Sequence, residues 1–233
     1  MRDLHGSTPI TSVIIPAFNE ETSIGLVLDN LPQEKLKEII VVNNGSTDKT
    51  ACVAKKHGAR VVDETLRGYG AACLKGISEL DDPEIVVFID GDFSDFPEEI
   101  ESLVKPIVEN RADFVLGSRM IFPESRAALL PQARYGNLLA VFLMKLFFRC
   151  QFTDLGPFRA IRYQSLKEIS MTDKNFGWTV EMQIKVVKHG LRIMEIPVHY
   201  RKRIGVSKIT GTISGTFKAG TKIIFTIFKY LLT

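Results

Sequence analysis

Cysteine is scarce: three in 233 residues, at Cys52, Cys73 and Cys150, with no CxxC pair. That excludes a disulfide framework and a thiolate zinc site, and fits a reducing compartment. Long hydrophobic runs are missing too. No stretch reaches the roughly 18 uninterrupted apolar residues that a spanning helix needs, and the opening residues carry no apolar run, so neither a transmembrane helix nor a signal peptide is expected. Residues 222–233 come nearest but are broken by Lys229, which suits surface attachment better than insertion. No internal repeat occurs at solenoid spacing, and the four scattered histidines form no Ser/His/Asp pattern. Acidic residues nearly vanish towards the end. Residues 185–233 hold ten Lys and Arg against Glu195 alone, so a net charge of +3 hides an acidic body and a basic tail. Such a tail meets phosphates or anionic lipid, or is simply a solvated basic face.

What is present is an ordinary globular balance, 45% apolar and 24% charged, in a chain long enough for one large core. Short apolar runs at residues 12–16, 38–42, 60–62, 84–89 and 113–116 read as strands, most of them buried and parallel. Helical spacing fills the intervals at 20–31, 47–58, 70–80 and 97–110. This alternation predicts an α/β fold, an open and mostly parallel Rossmann-like sheet flanked by helices on both faces. The second half is less regular. A helix over 137–149 is dense in large apolar side chains, and another over 179–189 is closed by Gly190. A strand over 191–200 is placed at an edge by Pro197, and residues 209–233 read as helical in two pieces.

In open parallel sheets ligands bind beyond the carboxyl ends of the strands, and the polar loops 16–20, 43–48, 90–95 and 117–119 all occupy such ends. Asp90-Gly91-Asp92 follows the most apolar strand. Two carboxylates flanking a glycine can turn onto one hard divalent cation, Mg²⁺ or Mn²⁺, with Asp95 close by. In isolation this DxD is also a common turn, but its place at the end of a buried strand favours the metal. Asn43, Asn44 and Ser46 offer donors and acceptors for a nucleobase edge, although Asn44-Gly45 equally makes a plain turn. Pro16, Ala17, Phe18, Asn19 and Glu20 can wrap a base and ribose, or begin the next helix. Arg67-Gly68-Tyr69-Gly70 is a basic turn that can bring backbone to a pyrophosphate, or a turn and no more. Arg201, Arg203 and Lys208 gather charge in a Gly/Ser loop that can close over phosphates, or face solvent or lipid.

In order, the segments VIIPAFNEE, VVNNGSTDKT, RGYGAA, VVFIDGDFSD, LGSR, TDLGPFRA, GWTVEMQIK and RKRIGVSK resemble the family 2 glycosyltransferases of GT-A fold. The resemblance runs over residues 11–224, above all to dolichyl-phosphate mannose and glucose synthases and their prokaryotic relatives. It implies a GT-A catalytic domain over 1–208 and a C-terminal amphipathic helical segment over 209–233 that contacts a membrane or a second copy of the chain. It implies a metal-dependent, inverting transfer of glucose or mannose from a UDP- or GDP-sugar to a polyprenyl or dolichyl phosphate, by a cytoplasmic enzyme peripheral to the membrane face. By the same resemblance residues 16–20 contact the nucleoside, and Asp90 and Asp92 hold the cation that bridges the donor diphosphate. Arg119, Arg201, Arg203 and Lys208 face donor or acceptor phosphate. Asp154, Arg159, Trp178 and Glu181 line the acceptor side, and for a hydroxyl acceptor Asp154 or Glu181 would be the base. Relatives usually carry an acidic residue where this chain has Asn43, which leaves the base preference open. No nucleic-acid partner is expected. The rival readings are a soluble phosphorylated or hydroxyl acceptor, a non-catalytic nucleotide-sugar-binding subunit, and a nucleotidyltransferase. For the last, residues 16–20 lack a Gly-rich phosphate loop with a lysine.

Overall fold

Apolar runs too short for helices and rich in Ile and Val become the strands of one sheet. The computed structural model describes residues 10–205 and 213–232. The strands are β1 Thr11–Ala17, β2 Glu38–Asn43, β3 Arg60–Asp63, β4 Ile85–Phe88, β5 Phe114–Ser118, β6 Arg159–Arg162 and β7 Ile193–Pro197. They lie in the order β3-β2-β1-β4-β6-β5-β7. The helices are α1 Ile24–Asn30, α2 Thr50–Lys56, α3 Tyr69–Ser78, α4 Ile100–Val108, α5 Pro123–Ala128, α6 Pro131–Phe148, α7 Tyr163–Ile169, α8 Trp178–Lys188 and α9 Ile213–Leu231.

The sheet is open and mostly parallel, as the alternation predicts. β6 is the exception, running antiparallel to both β4 and β5. Its sequence, Arg-Ala-Ile-Arg, is short and ends in charge on both sides, so it gives no periodic signal. Strand residues alternate between two cores. Val13, Ile15, Val41 and Val87 point to the side of α1 and α4, where Leu28, Leu103 and Ile107 meet them. Ile14, Ile40, Val42, Val86 and Phe88 point to the other side, against Cys73, Trp178, Ile184, Met144 and Ile227 from α3, α8, α6 and α9. Each fully buried Ile or Val contributes about 1.5–3 kcal/mol relative to exposure, and both faces being covered explains strands that are apolar without alternation.

β7 forms an edge beside β5, consistent with Pro197 at its last position. Several boundaries differ from expectation: α1 begins at Ile24 rather than at residue 20, and β7 spans Ile193–Pro197 rather than 191–200. α6 begins at Pro131, six residues before the expected start, because proline suits the first helical position. α9 is one continuous helix where two pieces were expected. It packs on α6 through Phe147 and Phe228, whose ring centroids lie 5.5 Å apart. α6 carries more large apolar side chains than one buried face can take. Asn137, Ala140 and Met144 face inward, whereas Leu138, Leu139, Phe142 and Leu146 are exposed, as are Phe225, Phe228 and Leu231 on α9. Among the described residues no helix is long and apolar enough to cross a membrane.

Candidate active site

At the carboxyl ends of β1, β2 and β4 the polar loops converge on a cleft of about 300 Å³, large enough for a nucleoside-sized ligand. Its walls are Pro16 and Ala17 at the end of β1, Phe18 and Glu20 just beyond it, Asn44 after β2, Arg67 and Gly68 before α3, and Tyr69 and Ala72 on α3. Asp90, Gly91 and Asp92 after β4, Asn175 and Phe176 before α8, and Arg203 complete it. Three parallel strands ending together bring Asp90 and residues 16–20 side by side, although they lie 70 residues apart in sequence.

The acidic pair sits at the floor. Asp90 Oδ1 is buried with no hydrogen-bond partner. Burial first, and then the neighbouring Asp92 charge, push its carboxyl up to about 7, while the nearby Tyr69 hydroxyl works the other way. Asp92 Oδ1 accepts the Ser94 N–H at 2.9 Å, and Oδ2 lies 3.2 Å from Arg203 Nη1. Arg203 reaches Glu20 with its other terminal nitrogen, so one guanidinium spans the two acidic walls of the cleft. Asp95 is also buried with both oxygens unpartnered, and burial followed by Asp90 raises its carboxyl well above the usual range. A partnerless buried carboxylate oxygen beside a second carboxylate is a hard-oxygen donor set, and fits a divalent cation. Among the described residues no cluster of three or more His, Cys, Asp or Glu forms a ready metal cage. Such an ion would take its other ligands from water and a diphosphate, as Mg²⁺ commonly does.

Several polar residues expected to read the nucleotide are engaged in building the cleft instead. The Asn43 side chain donates to Asp63 at 2.7 Å and accepts the Ser46 N–H at 3.2 Å, so it lies outside the cleft wall. Ser46 Oγ accepts the Asn19 N–H, and Asn19 Oδ1 accepts the Thr47 N–H, stitching the first loop to the second. Asn44 lines the cleft and ties down the turn beyond β3, donating to the carbonyls of Glu64 and Leu66 and accepting the Gly68 N–H. Arg67 stacks on Phe18, 3.8 Å from the ring centroid, making a flat cationic and aromatic surface beside Pro16.

Gly70 does not face the cleft. A Cβ there would lie 2.0 Å from the Asp173 carbonyl, and one on Gly68 would lie 2.1 Å from the Lys174 carbonyl. The glycines let the turn lie against residues 173–174, and of the two only Gly68 lines the cleft. Arg201 is likewise turned away: its guanidinium stacks on Phe93 and Phe96 at 3.6 and 4.0 Å and donates to the Phe93 carbonyl. Arg203 is the basic residue of this loop that faces the cleft, while Lys208 lies outside the described residues.

The residues expected on the acceptor side are locked in place. Asp154 is wholly buried and takes Arg119 Nε at 2.7 Å, Nη2 at 2.8 Å and its backbone N–H at 2.9 Å, together with the Leu155 N–H. Burial opposes ionisation, yet the Arg119 charge and these hydrogen bonds outweigh it and hold the carboxyl below its ordinary value. Arg119 is thereby committed to Asp154. Glu195, the lone acid of the tail, accepts the Thr153 and Asp154 N–H groups and braces the same loop. Arg159 is buried against the Gly156 and Thr179 carbonyls, with burial lowering it to about 10. Trp178 is buried with its ring edge against Phe88, centroids 5.8 Å apart. Glu181 accepts from Thr172, Asp173 and Tyr230 and does not itself line the cleft. Neither Asp154 nor Glu181 is placed as a free base. Residues 175 and 176, cleft-lining here, went unrecognised in the sequence because a Lys-Asn-Phe-Gly stretch reads only as a turn. Tyr69, which lines the cleft, was visible in the RGYG segment but without a role.

Residues 12–170 match the family described as Glycosyl transferase family 2. An uncharacterized protein of Methanocaldococcus jannaschii is 35% identical over 85% of this chain and 86% of its own. A dolichyl-phosphate hexose transferase of Haloferax volcanii is 32% identical over 85% and 86%. Among solved structures, the glucosyl-3-phosphoglycerate synthase of Mycobacterium tuberculosis, in complex with Mn²⁺, UDP-glucose and phosphoglyceric acid, superposes with a TM-score of 0.77. It is 23% identical, and the match covers 96% of this chain and 80% of that one. The sheet order and helical layers described above are thus those of the GT-A glycosyltransferases.

Proposed function

The chain belongs to glycosyl transferase family 2, and from that premise we propose that it moves a hexose from a nucleotide sugar to a polyprenyl or dolichyl phosphate. The observation that carries the donor half is the partnerless Asp90 oxygen facing Asp92 on the cleft floor, with Arg203 beside them. Asp90 and Asp92 would hold a Mg²⁺ or Mn²⁺ ion, whose charge would offset that of the departing diphosphate. Phe18, Pro16 and the Arg67 guanidinium form the surface on which a base would lie. Arg203 supplies a cation on the same side and can exchange Glu20 for a phosphate oxygen, since a guanidinium pairs as well with phosphate as with carboxylate.

The acceptor half is supported by what the locked carboxylates cannot do. With Asp154 and Glu181 saturated by hydrogen bonds, an acceptor that arrives already ionised, such as a phosphate monoester, needs no proton removed before its oxygen attacks the anomeric carbon with inversion. The exposed apolar face of α6 and α9, with Arg134, Lys145 and Lys229 exposed on the same helices, suits peripheral contact with an anionic membrane from which such a lipid would be drawn. The Haloferax relative, named for a dolichyl-phosphate acceptor, favours the same acceptor. A soluble phosphorylated acceptor is the second reading, favoured by the phosphoglyceric acid bound in the Mycobacterium structure.

The deciding experiment supplies UDP-glucose and GDP-mannose, with Mn²⁺, to polyprenyl phosphate in vesicles and separately to 3-phosphoglycerate. Transfer to the lipid, lost in Asp92→Asn with the melting temperature retained, is the expected result. Transfer to 3-phosphoglycerate alone would replace the lipid reading, and full activity in Asp92→Asn would remove the metal from it.

A further inference from the structure

We propose that Glu181, Lys222 and Tyr230 are positioning residues for the cleft, locking α9 to residues 172–177 so that donor binding and the seating of α9 are one coupled equilibrium. This rests on the reading of the cleft as a nucleotide site.

The connection is made of specific contacts. Glu181 is wholly buried on α8, which disfavours its charge, but it is surrounded by donors. Oε1 accepts the Thr172 N–H at 3.0 Å, the Thr172 hydroxyl at 2.7 Å and the Tyr230 hydroxyl at 2.6 Å, with Lys185 Nζ at 2.9 Å, and Oε2 accepts the Asp173 N–H at 2.6 Å. One carboxylate therefore joins the last turns of α9 to the start of the 172–177 segment. A second joint lies nearby. Asp173 Oδ1 accepts the N–H groups of Asn175 and Gly177 at 2.7 and 3.2 Å, and Oδ2 pairs with Lys222 of α9 at 2.8 Å. Between the two joints α9 lies directly on the segment, since a Cβ on Gly177 would come within 2.4 Å of Thr226 Oγ1.

The other side of the same segment is the cleft. Lys174 offers its carbonyl to the Ala71 N–H at 3.0 Å, and Gly68 and Gly70 pack against the 173–174 backbone with no room for a methyl group. Asn175 and Phe176, held between α9 and this turn, form one wall, and Tyr69 from the turn lines the same cleft as Asp90. Every link from α9 to this turn is thus a hydrogen bond, an ion pair or a close backbone contact. A contiguous packed path of this kind transmits a change of state at one end to the other, and thermodynamic linkage makes the effect reciprocal. The outward face of α9 presents Phe225 and Phe228, so whatever engages that face acts on the cleft wall.

The test measures the affinity of UDP and of GDP, each with Mn²⁺, by calorimetry on the full chain and on Tyr230→Phe and Lys222→Ala. Hydrogen exchange of the wild type is followed with and without the nucleotide that binds. Each variant is expected to bind about tenfold more weakly, within the usual range of coupling between sites, with a melting temperature close to wild type. In the wild type the nucleotide is expected to slow exchange in 172–177 and in α9 as well as in the cleft loops. Unchanged affinity in both variants overturns the proposal. So does protection confined to the cleft loops, a measurement that decides even if a variant loses its fold. Failure of the wild type to bind either nucleotide is a different result, and overturns the donor-site reading itself.

Discussion

Replacing Arg119 by methionine leaves the Asp154 carboxylate in the interior with half its partners. In the native protein it takes two side-chain bonds from the guanidinium, at 2.7 and 2.8 Å, and two backbone N–H groups, from Arg119 and Leu155. The backbone donors survive the substitution; the charge and the two-pronged contact do not. Removing one partner of a buried ion pair costs about 3–5 kcal/mol, and the surviving N–H donors place this case near 3 kcal/mol, or on the order of 10 °C in melting temperature for a chain of this length. The sign of the pH dependence follows. In the wild type Asp154 is held below its ordinary value, so its contribution is present above the unfolded carboxyl range near 4 and fades as pH falls through the folded value. Without the Arg119 guanidinium only the two backbone N–H groups oppose burial and the carboxyl rises, so the variant regains stability by taking up a proton as pH falls. The gap between wild type and Arg119→Met is therefore widest near pH 8 and narrows towards pH 5. Urea unfolding at both values, with the double variant Arg119→Met/Asp154→Asn, measures it. The double variant is expected to recover most of the loss, because it no longer buries an unpaired charge. A loss under about 1 kcal/mol at pH 8 for a pair buried this deeply, with transfer abolished, would refute the reasoning and return Arg119 to phosphate binding.

Asp90, raised to about 7 by burial and by Asp92, must ionise to hold a cation, so Mn²⁺ affinity with nucleotide should fall about tenfold per pH unit below 7; titration by electron paramagnetic resonance checks it. The same shift means that the native chain holds an extra proton between the ordinary carboxyl range and about 7, so metal-free stability contributed by this group declines as pH rises through that window. Gly70→Ala drives a methyl group into the Asp173 carbonyl, and overpacking against backbone should cost about 1–3 kcal/mol and weaken nucleotide binding. Gly136→Ala in α6 meets nothing within 4 Å and should instead stabilise by about 0.5–1 kcal/mol, both read by thermal melts.

The first half of the fold was legible because its signal is local. Five apolar runs and the helices between them alternate at short spacing, and burial on both faces leaves little freedom of arrangement. β6 was not, since Arg159-Ala-Ile-Arg162 owes its strand conformation to the open edges of β4 and β5 and to acceptors that bury Arg159. Nothing within four residues encodes that. α9 reads as two pieces because Gly220 interrupts the pattern, and packing on α6 and α8 carries the helix through it.

At the site, position along the strands was readable and commitment was not. That Asp90 and Asp92 end a central buried strand follows from the apolar run before them. Which polar side chains remain available for a ligand depends on who already holds them, and the partners lie far off in sequence. Asn43 is held by Asp63, Asp154 by Arg119 and Glu181 by Tyr230. Arg201 and Arg203 make the point at closest range. Both stand in one basic loop, two residues apart, and by composition either can meet a phosphate. The loop is pinned along residues 92–95, with the Arg201 N–H on the Ser94 carbonyl and the Ile204 N–H on the Asp92 carbonyl. In that register Phe93, itself at a positive φ of 59°, presents its ring to Arg201 and captures it, leaving Arg203 over the carboxylates. The loop's charge is therefore divided between a structural clamp and a ligand-facing cation, a division set by the conformation of Phe93 rather than by the basic residues themselves.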